Sequence, residues 1–203
     1  MPVTRALLIP MIRALSWWPL GVAAALALVG ALAVDDRSPA AAFVILRVAA
    51  LLLGTGGAVA MVDRMGALVV PVPRWLRQWL RLVLMATPAA LAWATLGWLL
   101  DADLSAGLVA EAVVCAMVGF AGAAVAARQR HTPSAAVAGP VTQFGLLAVS
   151  LVPRGSWSPW PPPGDPHWDP AHRGWWTAAA VVGVALVLAN RDGWPLLPRR
   201  RPT

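Results

Sequence analysis

The sequence predicts an all-α integral membrane protein with six transmembrane helices and both termini in the cytoplasm. Three observations predict it. Hydrophobic residues make up 59% of the 203 and charged residues only 12%, whereas an average globular domain carries about 25% charged residues. The mean hydropathy is +0.68, so the surface cannot mainly face water. Apolar stretches recur at near-spanning length, and the arginines gather in alternate connections between them.

A spanning helix needs roughly 20 apolar residues, because the hydrocarbon core is about 30 Å thick and each residue rises about 1.5 Å. Six stretches meet or approach that length: Leu20–Val34, Ala42–Val62, Leu82–Leu100, Ala106–Ala127, Ala135–Val152 and Trp175–Ala189. The first and last are short, and the tryptophans flanking them suit the headgroup interface. Ala31-Leu-Ala33 imitates a signal-peptidase site, but the long basic stretch before the apolar run argues for a retained first span. Residues 1–203 are expected to form a single transmembrane domain.

Orientation comes from the charges. The chain holds sixteen basic residues, all arginine, and nine acidic ones, for a net charge of +7. Arg5, Arg13, Arg64, Arg74, Arg77, Arg81, Arg128, Arg130, Arg191, Arg199, Arg200 and Arg201 fall on one side of the predicted spans. The opposite connections hold only Arg37, Arg154 and Arg173, together with Asp35, Asp36, Asp101, Asp103, Asp165 and Asp169. The positive-inside rule then places both ends in the cytoplasm of a multi-pass protein of the cell membrane. The same sorting makes the basic excess an orientation signal, not a nucleic-acid footprint. A lone cysteine, Cys115, excludes a disulfide framework.

Three segments outside the spans carry pattern. Residues 1–18 include Thr4–Trp18, an apolar run with Arg5 and Arg13 in one quadrant of a helix and Pro10 as a bend. This reads as an interfacial helix, with a frayed extension of the first span as the plainer alternative. Residues 63–81 open with Asp63 and Arg64 and continue, after Pro71-Val-Pro73, into Arg74-Trp-Leu-Arg77-Gln-Trp-Leu-Arg81. Arg74, Arg77 and Arg81 lie at i, i+3 and i+7, a single helical stripe. That stripe suits either anchoring to anionic lipid headgroups or docking of a cytoplasmic partner. Residues 153–174 form an extracytoplasmic loop rich in proline and tryptophan, expected to lie against the membrane surface. Asp165, His167, Asp169 and His172 within it include metal-ligand types, but prolines interrupt the set and a plain surface loop is the default. No metal or cofactor is expected.

Arg47 and Glu111 are the ionisable residues that carry charge within the predicted spans. Either one alone in lipid costs at least ~2.5–3.5 kcal/mol, so each needs a partner or water. Each stands five residues in from the same side of its span, about 7–8 Å deep. Equal depth and opposite sign predict an Arg47–Glu111 ion pair joining the second and fourth spans. The rival role for either is to line a substrate or proton path. Gly54-Thr-Gly-Gly57, Gly119 and Gly122 favour close helix packing. Pro88 and Pro140 predict kinks, and Gln143 needs a partner inside the bundle.

The sequence contains no Gly-x-Ser-x-Gly, no His-Glu-x-x-His and no Walker A pattern, so no catalysis is expected of this chain itself. Six spans with short connections are few for a self-sufficient carrier built from repeats, so partners are expected.

In the order of its parts, Thr4–Trp18, six spans, Asp63–Arg81 and Pro153–Gly174, the chain resembles the membrane subunit of ABC-2-type exporters. The run Gly54-Thr-Gly-Gly-Ala-Val-Ala-Met-Val-Asp63 followed by Val-Pro-Val-Pro-Arg-Trp-Leu-Arg77 also looks like small permease-like proteins of GC-rich bacteria. The resemblance implies a second membrane subunit and separate ABC ATPase subunits. Asp63, Arg64, Arg74, Arg77 and Arg81 would then couple the ATPase to the membrane part. An apolar or amphipathic cargo is the mild preference. The competing class is a non-transporting scaffold or accessory subunit of a larger membrane complex.

Overall fold

A computed structural model describes residues 2–34, 38–61, 73–129, 134–152, 158–162 and 164–191. Among these residues the regular structure is entirely helical. The helices are α1 (Pro2–Ala14), α2 (Trp18–Ala33), α3 (Pro39–Ala58), α4 (Arg74–Leu99), α5 (Ala106–Gln129), α6 (Ser134–Ser150) and α7 (Trp168–Asn190). A single 3-10 turn, Val59–Met61, extends α3.

Local chemistry sets several of the boundaries. Ser38 caps α3, its Oγ accepting from the Ala41 amide at 3.3 Å, and Pro39 stands where a missing amide hydrogen costs nothing. At the end of α4, Ala102 N donates to Gly97 O and Asp101 N to Trp98 O, with Asp101 in the left-handed region at φ 49°. That is a Schellman closure, with aspartate holding the position glycine usually takes. Pro10 lies inside α1, and the sharp bend expected there falls instead between Ala14 and Trp18, where α1 and α2 meet at 65°. The Trp17 indole helps hold that corner by donating to Ile12 O at 2.7 Å.

Four helices, α3, α4, α5 and α7, are long and apolar enough to cross a membrane. α2, with 16 residues, reaches that standard only together with α1, and α6, with 17, is shorter. Two boundaries depart from expectation. The basic segment at Arg74–Arg81 and the third span form one uninterrupted 26-residue helix. The last helix begins at Trp168, inside the stretch 153–174 expected to be loop, because Pro170 falls in its first turn, where proline is tolerated.

α3 and α5 form the centre. Of their most apolar windows 56% and 61% is buried, against 28% in α4 and 22% in α7. α2 and α4 pack on α3, while α6 and α7 flank α5. Glycines allow the central contact: a Cβ on Gly54 would stand 2.6 Å from the Ala116 Cα. The outward faces carry Val22, Leu26, Val29, Leu91, Val141, Phe144, Val181 and Val184, all exposed. Hydrocarbon solvates such a surface; water does not.

Candidate functional site

The starts of α3, α5 and α7 meet at one end of the bundle, where three ionisable side chains converge. Arg47 Nε donates to Glu111 Oε2 at 2.6 Å, and Arg47 Nη2 donates to Glu111 Oε1 at 2.9 Å. This two-pronged geometry is the strong form of the guanidinium–carboxylate pair. Glu111 is fully buried, so its charge depends on these contacts. The expected pair between α3 and α5 is therefore present.

His172 of α7 is the third member, which the sequence placed in a surface loop. Its Nδ1 lies 2.7 Å from Trp168 O one turn earlier, and its Nε2 lies 3.0 Å from Glu111 Oε1. Oε1 is off the direction in which an Nε2 hydrogen would point, so that approach is an electrostatic contact and not a hydrogen bond. The ring can come so close because it lies over Gly107, where any Cβ would overlap it. Gly107 and Glu111 are one turn apart on α5, so the glycine makes room for the histidine that the glutamate meets. The turn-initiating Pro170 was the available signal: a helix starting at Trp168 puts His172 in its second turn.

Tryptophans close this end. Arg47 Nη2 also donates to Pro161 O at 3.0 Å, and its guanidinium carbon lies 5.5 Å from the centre of the Trp160 ring. The Trp160 indole donates to Ser150 Oγ of α6 at 2.9 Å, and Trp175 donates to Pro159 O at 2.9 Å. Trp93 of α4 donates to Leu46 O, beside Arg47, at 2.9 Å. The described part of the segment 153–174 is thus bonded down onto α3, α6 and α7 instead of lying free on a surface. Asp165 and His167 pair with each other, Asp169 is exposed, and no metal-binding cluster forms among the described residues. The Asp165 carboxyl is held below its ordinary range, first by the His167 amide that it accepts from and then by the His167 ring.

A second polar layer sits deeper. Gln143 Nε2 donates to Leu51 O at 2.7 Å and to Cys115 O at 2.9 Å, and its Oε1 accepts from Thr55 at 3.1 Å. The partners expected for Gln143 are therefore on α3 and α5. Between α3, α4 and α5 runs an apolar cavity of about 480 Å³, lined by residues such as Leu53, Ala89, Trp93, Val113 and Phe120.

The opposite end carries the arginines. Arg128 caps α7 by donating to Leu188 O at 2.7 Å and Ala189 O at 3.2 Å, a cation at a helix C-terminus. Arg74 and Arg77 are half-buried, but Arg81 is buried at 3% exposure beside the equally buried Gln78 of its own helix. The stripe is therefore not one uniform exposed face. Its inner end joins the packing side of α4, which continues through Leu82, Met85, Ala89 and Trp93. Asp63 and Arg64 lie outside the described residues.

Compared with protein-family models, curated proteins and solved structures, the chain gives no match.

Proposed function

We propose that the chain is the permease subunit of an ABC-2-type exporter, with α2 to α7 as six spans and both termini cytoplasmic. It pairs with a second membrane subunit and is driven by ATPase subunits on separate chains. The observation that carries this reading is α4. One unbroken helix runs from Arg74 and Arg77 to Trp93, whose indole holds the backbone of α3 beside Arg47. A push on the basic start of this helix, which has Pro88 in its interior, is passed towards the tryptophan-rich end through a single packed element. The short α2 and α6 span roughly 24–26 Å by helical rise, a mismatch that local thinning or a neighbouring subunit absorbs. The apolar cavity between α3, α4 and α5 supports an apolar or amphipathic cargo.

The test is purification of the tagged full chain from its native membrane in mild detergent. A nucleotide-binding subunit is expected to come with it. Charge reversal at Arg74 and Arg77 is expected to lower ATPase activity in the complex while the bundle stays folded. A preparation that never contains a nucleotide-binding chain overturns the exporter and leaves the scaffold.

A further inference from the structure

α4 and α5 follow each other closely in the chain, yet they barely touch, and both pack on α3 instead. The cleft left between them is the apolar cavity of about 480 Å³, floored by Leu53 and Phe120. Ala86, Ala90 and Ala94 recur one turn apart along one wall on α4, and alanine is too short to close the gap. Val109, Val113 and Ala116 of α5 form the other wall. Ala90, Ala94 and Val113 are exposed, so the cleft opens sideways onto a surface that hydrocarbon solvates. Among the lining side chains Trp93 has a hydrogen-bond donor, and that donor is spent on Leu46 O. Water finds too few partners there, and an empty space of this size forfeits packing contacts. The fitting occupant is apolar.

Length and charge narrow that occupant further. Val109 to Phe120 covers roughly 16 Å of α5 by helical rise, about one leaflet's half of a hydrocarbon core roughly 30 Å thick. Trp98, one turn beyond Ala94 and 81% exposed, suits the headgroup level. Leu104 packs over Gly97 at that end of the cleft. The turn around Leu104 carries Asp101 and Asp103, both exposed, and no basic residue. Two carboxylates at the mouth attract a cation and repel an anion. Building on the reading of this cavity as a place for apolar cargo, we propose that it holds one acyl chain of a phospholipid. The headgroup of that lipid carries an ammonium, seated beside Asp101 and Asp103, and its tail runs down between α4 and α5 as far as Phe120.

Photolabelling of the tagged full chain in lipid nanodiscs tests this. The probe is a phosphatidylethanolamine with a diazirine halfway along one acyl chain, diluted into unlabelled phosphatidylglycerol. Label is expected on α5 between Val113 and Phe120 and on α4 between Ala86 and Ala94. Native mass spectrometry of the same chain is expected to show phosphatidylethanolamine held in preference to phosphatidylglycerol. Asp101→Asn with Asp103→Asn is expected to remove that preference. Ala90→Trp sets an indole in the cleft and should lower retention at least about tenfold, the effect of displacing roughly two buried methylenes. Val181→Trp, on the exposed face of α7, should change nothing. Label spread equally over α7 overturns the proposal, as does equal retention of the two lipids by the parent chain. A disulfide joining two Val113→Cys chains on oxidation in the membrane assigns the cleft to a second copy and overturns it too. Should Ala90→Trp fail to fold, the label map of the parent chain still decides. No ATPase takes part in these measurements. A chain that holds the lipid but never co-purifies with an ATPase overturns the exporter alone, and the reverse result overturns the lipid site alone.

Discussion

Arg47 and Glu111, sixty-four residues apart in the chain, meet through two hydrogen bonds, at 2.6 and 2.9 Å. They tie the two central helices together at one end of the bundle. Removing one partner leaves the other charge buried and uncompensated, which costs about 3–5 kcal/mol. Arg47→Ala and Glu111→Ala are each expected to destabilise the folded chain by that order in reversible unfolding from mixed micelles. The double substitution should cost clearly less than the sum; additive losses would show that the two residues act separately.

Close approach of α3 and α5 predicts a contrast between glycines. A Cβ on Gly54 would meet the Ala116 backbone at 2.6 Å, whereas one on Gly183 would meet nothing within 4 Å. Gly54→Ala is expected to destabilise by about 1–3 kcal/mol, the range for overpacking a filled core. Gly183→Ala should be neutral or mildly stabilising, since alanine loses less conformational freedom in a helix. Equal effects at the two positions, measured by thermal unfolding, would contradict the packing described.

At the α4–α5 turn, Asp101 holds a left-handed backbone at φ 49°. Left-handed geometry costs an L-residue roughly 1–2 kcal/mol, and aspartate tolerates it better than most. Asp101→Gly is expected to raise stability by up to about 1 kcal/mol, and Asp101→Val to lower it. The order glycine, aspartate, valine in melting temperature is the outcome to look for.

The Asp165 carboxyl gives a local pH dependence. Its folded value lies below the ordinary 3.8, so the ionised form is favoured by folding. The stabilisation is present above the unfolded value and is lost as pH falls through the folded one. Between pH 5 and pH 1 the His167 amide resonance should therefore shift in a single step centred below about 3.8. Asp165→Asn should abolish that acid shift, and a transition centred above 3.8 would refute the assignment.

Much of the site was legible in one dimension because charge is rare in this chain. Two ionisable residues at equal depth in apolar stretches have few partners to choose from, so Arg47 and Glu111 could be paired from position and sign alone. Gln143 was likewise recognisable as a group in need of partners, though not which ones. Arg81 was misleading. Its spacing from Arg74 and Arg77 places all three on one stripe, but periodicity does not say where a helix stops facing outward and begins to pack. His172 was missed because the helix start at Trp168 was hidden in a run of tryptophan and proline.

By itself, the sequence determined a helical, membrane-compatible chain, its apolar segments and the pair most in need of each other. Those properties follow from composition, period and the cost of burying charge, which act locally or depend only on depth. Tertiary structure decided that α3 and α5 are central and that α4 is one continuous helix from Arg74 to Leu99. It also brought His172 over Gly107 to Glu111 and bonded the Trp160–Pro161 segment onto Arg47. Those relationships depend on which helix faces pack together, and packing is settled by shape at ångström range, which no spacing along the chain records.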